Sequence, residues 1–206
     1  MKKNVLALII IVILIVLGGS YYFINRGSSN AANSQSPSQS GSSSTVGAIS
    51  KRSKTLILYY SNSGTTRTAA KEIQKQTGAD LIEMKISSNY PSDYNKLIKV
   101  AKREIDNNAR PKITNKIDVS KYDTIFIGFP TWYHRPPMFI NTFFEIYNLK
   151  GKTIVPFTTS MSSSMSESTP YLKRMAKGTG VTLQTGFRAN ETSTITKYLK
   201  NHDLAK

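Results

Sequence analysis

The chain contains no cysteine. Disulfide staples, thiolate nucleophiles, cysteine-held metals and a lipid-modified cysteine are therefore excluded. Histidine is nearly absent too: His134 and His202 are too few to build a histidine metal centre. Acids are scarce, with 12 Asp and Glu against 28 Lys and Arg, giving a formal net charge of +16. Five bases and no acid precede residue 54, so the remainder holds 23 bases against 12 acids, or +11. Such a field attracts acidic partners and anionic surfaces. The bases are scattered and no nucleic-acid motif accompanies them, so nucleic acid is not expected as a partner.

Long hydrophobic runs are missing except at one end. Val5 to Leu17 is an unbroken aliphatic run, followed by Gly18-Gly19-Ser20 and Tyr21-Tyr22-Phe23-Ile24. About 20 such residues make a helix of roughly 30 Å, the hydrocarbon thickness of a bilayer. Tyr21 and Tyr22 suit an interfacial aromatic belt, and Lys2 and Lys3 hold the start in the cytoplasm. Residues 1–24 therefore read as a single-pass membrane anchor that places the rest of the chain outside the cytoplasmic membrane. The rival is a cleaved signal peptide, for which Leu17-Gly18-Gly19-Ser20 is a poor processing site. Residues 25–53 are rich in Ser, Asn, Gln and Gly and short of core-forming side chains. They read as a flexible tether.

The domain is expected over residues 54–206, where apolar runs alternate with helical patterns. Strands are expected at 55–60, 80–86, 122–128, 152–157 and 181–187. Helices are expected at 66–76, from Pro91-Ser92-Asp93 to before Pro111, and at 136–147, 169–177 and 193–202. Thr55-Leu56-Ile57-Leu58-Tyr59-Tyr60 lacks polar alternation, as a strand buried on both faces does. Five strands separated by helices predict a three-layer α/β sandwich around a parallel sheet. Ligands of such sheets sit beyond the carboxyl ends of the strands, where strand order reverses.

Three segments fall at that edge. After the first strand comes Ser61-Asn62-Ser63-Gly64-Thr65-Thr66, opening directly into a helix. Four of these six residues carry hydroxyls, more than one helix cap needs, and backbone N–H groups at a helix start favour an anion. The segment matches neither GxxxxGK[ST] nor GxGxxG. After the third strand comes Gly128-Phe129-Pro130-Thr131-Trp132-Tyr133-His134, with the sole tryptophan beside a tyrosine, a composition suited to a planar ring. After the fourth comes Thr158-Thr159-Ser160-Met161-Ser162-Ser163-Ser164-Met165, a polar loop able to offer backbone groups to a ring edge.

These segments resemble the flavodoxin family, in particular its short-chain branch. The matching stretches are Tyr59 to Thr66, Asn89-Tyr90-Pro91-Ser92-Asp93-Tyr94, Ala109-Arg110-Pro111, Gly128 to Trp132 and Pro156-Phe157-Thr158-Thr159-Ser160. The resemblance implies a flavodoxin-like fold with sheet order 2-1-3-4-5, preceded here by the transmembrane helix, and FMN as cofactor. By that resemblance Ser61, Asn62, Ser63, Gly64, Thr65 and Thr66 hold the phosphate. Pro130, Thr131, Trp132, Tyr133 and His134 face the flavin ring, and Thr159, Ser160, Met161 and Ser162 border its other side. No side chain is required as a catalytic acid or base.

Two features depart from the family pattern. Its third loop usually carries glycine after the Thr-Ser, whereas residues 161–165 have none. Its members are typically acidic, whereas this domain is strongly basic. The expected function is electron transfer at the outer membrane face by a monomer, with a redox protein or the membrane quinone pool as partner. The alternatives are an FMN-dependent NAD(P)H:quinone-type oxidoreductase and a non-redox anion-binding module on the same fold.

Overall fold

The computed structural model describes residues 54–206. The expected anchor over 1–24 and tether over 25–53 lie outside the described residues. Among the described residues, no helix is long and apolar enough to cross a membrane.

The strands are β1 (Thr55–Tyr59), β2 (Asp80–Glu83), β3 (Thr124–Pro130), β4 (Thr153–Thr159), β5 (Thr182–Leu183) and β6 (Phe187–Arg188). All pairings are parallel, in the order β2-β1-β3-β4-β5, with β6 also on β4. The expected order 2-1-3-4-5 therefore holds. The helices are α1 (Thr65–Thr77), α2 (Tyr94–Asp106), α3 (Phe139–Ile146), α4 (Met165–Ala176) and α5 (Thr192–Asn201).

Alternate residues of each central strand enter opposite cores, which is why these strands carry no polar alternation. Leu56, Leu58, Ile125, Ile127 and Ile154 enter one core with Leu97 of α2, Phe139 and Phe143 of α3, and Leu172 of α4. Ile57, Tyr59, Phe126, Val155 and Phe157 enter the other with Ala70 and Ile73 of α1 and Ile195 and Leu199 of α5. Gly128 sits where β3 passes the Phe157 ring: a Cβ there would lie 2.1 Å from that ring.

Strand β2 ends at Glu83 rather than at 86, β3 and β4 run two residues further than expected, and three other boundaries differ for identifiable reasons. The expected fifth strand is split into β5 and β6. The break lies opposite Pro156, since Ile154 pairs with Leu183 and Phe157 with Phe187. The carbonyls of Ile154 and Thr158 accept from Gln184 and Ala189 on this edge. Pro156, midway between them, has no N–H to offer the same edge, so the ladder is interrupted there. Helix α4 starts at Met165 rather than Thr169. Ser164 caps it, its backbone N–H donating to the Glu167 carboxylate at 2.8 Å in a capping box. Helix α3 starts at Phe139, after Pro136 and Pro137, and the Ile140 N–H reaches the Pro137 carbonyl at 3.0 Å.

Candidate functional site

The three expected loops meet at the carboxyl edge of β1, β3 and β4. The first leaves β1 and turns at Gly64, whose φ of +94° is reached at low cost only without a side chain. The Gly64 N–H donates to the Ser61 hydroxyl at 3.1 Å, and Ser61 is buried. As N-cap of α1, Gly64 contributes no side-chain acceptor, and the first turn contains no acid. The amides that a cap would satisfy are thus left open to an external anion. Ser63 and Thr65 hydroxyls lie 3.3 Å apart at this mouth. A cleft of about 400 Å³ opens against Ser63, Gly64, Thr65 and Thr68 from one side, and Asn190 and Thr192 from the other.

Among the described residues no cation lines this cleft, and its one charged residue is Glu72, whose carboxylate accepts from the Gln76 amide at 2.7 Å. Arg67 turns away and grips the Glu83 carboxylate through Nε at 3.0 Å and Nη2 at 2.6 Å. Asn62 faces neighbouring protein: its amide donates to the Pro91 carbonyl at 3.0 Å and it accepts from the Tyr60 hydroxyl at 3.1 Å. Thr66 is buried, sharing a 2.8 Å hydroxyl contact with Thr159.

The second loop leaves β3 at Pro130. The Thr131 N–H donates to the Thr159 carbonyl at 3.0 Å, and its hydroxyl lies 2.6 Å from that of Thr158. Trp132 and Arg135 exchange backbone hydrogen bonds of 3.1 and 3.2 Å around Tyr133 and His134. Both central residues have positive φ, +50° and +58°, the signature of a type I′ turn. Two bulky residues held in this region carry strain of the sort found at ligand sites.

The turn divides the aromatics. Trp132 is buried, its ring centroid 4.8 Å from Tyr90 and 6.3 Å from Tyr60, so it supports the loop from beneath. Tyr133 is 43 % exposed at the edge. Burial pushes the Tyr60 hydroxyl up to about 12, with Glu83 and Glu104 adding to the shift. His134 is exposed, with Nδ1 hydrogen-bonded to the Glu167 carboxylate and 3.1 Å from the Ser163 hydroxyl. The Ser164 amide, followed by His134, holds the Glu167 carboxyl below its ordinary value.

Thr158 and Thr159 belong to β4, and the third loop begins at Ser160. Asn190 clasps it: the Ser160 N–H donates to Asn190 Oδ1 at 3.1 Å, and Asn190 Nδ2 returns to the Ser160 carbonyl at 2.9 Å. The Arg188 guanidinium donates to the Met161 carbonyl at 3.1 Å. Met161 itself is 94 % exposed, and Ser162 is exposed beside it. Asn190, Arg188, Ser163 and Glu167 were not among the sequence candidates. Asn190 follows β6 at the same carboxyl edge, and Ser164-x-x-Glu167 is a visible capping pattern.

The loops thus bring together an uncapped helix start flanked by hydroxyls, an exposed Tyr133–His134 turn and a polar strand terminus. Among the described residues, no cluster of His, Asp or Glu could hold a metal.

A family model described as Flavodoxin matches residues 54–202. The chain is 30% identical to a flavoprotein of Lactobacillus acidophilus NCFM whose structure was solved in complex with FMN. That match has a TM-score of 0.61 and covers 71% of this chain and 98% of that one. It is 35% identical to a protein of Bacteroides eggerthii assigned as a flavoprotein, with a TM-score of 0.65, covering 72% of this chain and 97% of the other. Among curated proteins, none matches.

Proposed function

The chain belongs to the flavodoxin family, and from that premise we propose that it binds FMN and transfers electrons at the outer face of the cytoplasmic membrane. The observation that carries the reading is the uncapped start of α1 at Gly64, with no acid in its first turn and hydroxyls of Ser63 and Thr65 at its mouth. That donor set fits a phosphate dianion without a neutralising base.

Bound flavin supplies the redox chemistry. The chain supplies the rest. Ser61 fixes the Gly64 turn, while Ser63, Thr65 and the first amides of α1 take the phosphate. Tyr133 and His134 present a rigid edge for the ring, held by the Trp132–Arg135 backbone pair. Thr159, Ser160 and the Met161–Ser162 backbone border it from β4, with Asn190 fixing their position.

Exposed Tyr133 and Met161 at this edge support exchange with an external partner. The +11 charge of the domain favours an acidic redox protein or an electron carrier at an anionic membrane. The aliphatic run at Val5–Leu17 and the bases Lys2 and Lys3 support the membrane location.

The same exposure favours a second reading, an FMN-dependent NAD(P)H:quinone-type oxidoreductase whose acceptor stacks beside Tyr133. FMN titration of the full chain, followed by visible absorption, tests the first step. The expected result is a saturable flavin spectrum. Steady NAD(P)H oxidation with quinone acceptors would select the reductase, and its absence the relay.

A further inference from the structure

A second cavity of about 400 Å³ lies over the sheet face covered by α2, α3 and α4, apart from the Gly64 mouth. Three arginines reach it: Arg110, Arg135 and Arg174. Arg110 is already paired. Its Nε donates to both Glu145 oxygens at 2.7 and 2.9 Å, and its Nη1 to the Asn108 carbonyl at 2.8 Å.

Arg135 and Arg174 have no carboxylate partner among the described residues. Both lay their guanidinium groups over one ring, Tyr171, at 4.3 and 4.6 Å from its centroid. Arg135 Nε is buried without a hydrogen-bond acceptor, and its Nη2 meets only the Met138 sulfur at 3.4 Å. Burial, and then the charges of Arg174 and Arg110, weaken the hold of Arg135 on its proton. Arg135 is half-buried with its Nε donor unused, and the exposed Arg174 sets a like charge beside it, an arrangement that an anion would complete.

We propose that this cavity binds a small organic phosphate monoester, with Arg135 and Arg174 supplying the charge that holds the phosphate. Two uncompensated cations match a dianion, whereas one carboxylate would balance only half of them. The guanidinium fork also pairs with phosphate oxygens in bidentate fashion. Phe144 and Met175 line the same cavity and give the organic body an apolar wall. The volume suits a small ligand. Arg135 directly follows the Tyr133–His134 turn and pairs with Trp132 through the backbone, so occupancy reaches the only tryptophan in the chain.

Calorimetry of phenyl phosphate against the full chain loaded with one equivalent of FMN and freed of unbound flavin tests the site. One saturable site per chain is expected, accompanied by a change in Trp132 emission. Benzoate should bind at least about ten-fold more weakly. Arg174→Ala and Arg174→Gln, the latter keeping a polar stem, should each weaken phenyl phosphate by about ten-fold or more while FMN affinity is unchanged. No saturable heat, undiminished binding in both variants, or benzoate binding as tightly as phenyl phosphate would overturn the proposal. Flavin colour is read in the same samples, so loss of the FMN reading and loss of this site are scored separately.

Discussion

Thr66 in the first turn of α1 and Thr159 at the end of β4 share a buried hydroxyl–hydroxyl hydrogen bond of 2.8 Å. The Thr159 carbonyl also accepts the Thr131 N–H at 3.0 Å. One residue thereby joins all three loops of the site. The start of α1 and the ends of β3 and β4 are a single mechanical unit, although their residues are far apart in the chain.

Replacing Thr66 by Val keeps the shape but leaves the Thr159 hydroxyl without this partner. An unsatisfied buried hydroxyl costs about 1–3 kcal/mol. Thr66→Val should lower the thermal midpoint and weaken FMN. Thermal unfolding with and without FMN checks this; an unchanged midpoint and affinity would show that the bond is incidental.

Gly64→Val puts a β-branched residue at φ +94°. A Cβ there meets nothing within 4 Å, so the penalty lies in the backbone and not in a clash. Strain of about 1–3 kcal/mol is expected, relieved by rotating the loop and scattering the open amides. FMN affinity in calorimetry should fall by at least about ten-fold, more than the affinity loss caused by Thr66→Val.

Burial raises the hydroxyls of Tyr60 and Tyr198 from 10.0 to about 12. Tyr198 also donates to the Thr185 carbonyl at 2.5 Å. A group whose folded value is raised stabilises the fold fully below its unfolded value, and that contribution is lost as pH rises through the folded one. Stability should therefore decline between pH 10.0 and about 12. Tyr198→Phe should flatten part of that decline. Chemical denaturation across this range, with ultraviolet titration of phenolate, provides the measurement.

Glu167 is held below its ordinary value by the Ser164 amide and by His134. Its contribution is present above the ordinary carboxylate value and is lost as pH falls through the lowered one. His134→Gln should move the Glu167 titration upward while the Ser164 cap persists. Carboxyl-carbon NMR follows it directly, and an unmoved midpoint would show that His134 contributes nothing to the shift.

Much of this architecture was legible because residues such as Leu56 and Ile57 are apolar in succession. A short run of this kind, rich in β-branched and aromatic residues and bounded by turn signals, is the pattern of a strand covered on both faces. The turn at Gly64 and the start of α1 were legible for a local reason, since glycine and hydroxyl residues together mark a helix start, whereas the inward turn of Asn62 and Thr66 was not. Trp132 shows where composition stops short: its place in the sequence does not say whether its ring lies above or beneath the turn. Glu104 lies in an apolar helical pattern yet is buried, accepting from Tyr90 at 2.8 Å and Ser88 at 2.6 Å. That pairing is tertiary and leaves no local trace. The split of the last strand had a signal in Pro156, but the side of the sheet on which its missing N–H falls emerges only from the register.

The most direct test compares FMN with riboflavin, which lacks the phosphate, by calorimetry on the full chain. A seat built from the α1 amides and the Ser63 and Thr65 hydroxyls predicts FMN binding at one site and riboflavin weaker by at least about ten-fold, or 1.4 kcal/mol. Equal affinity for the two, or no binding of FMN, would contradict the account.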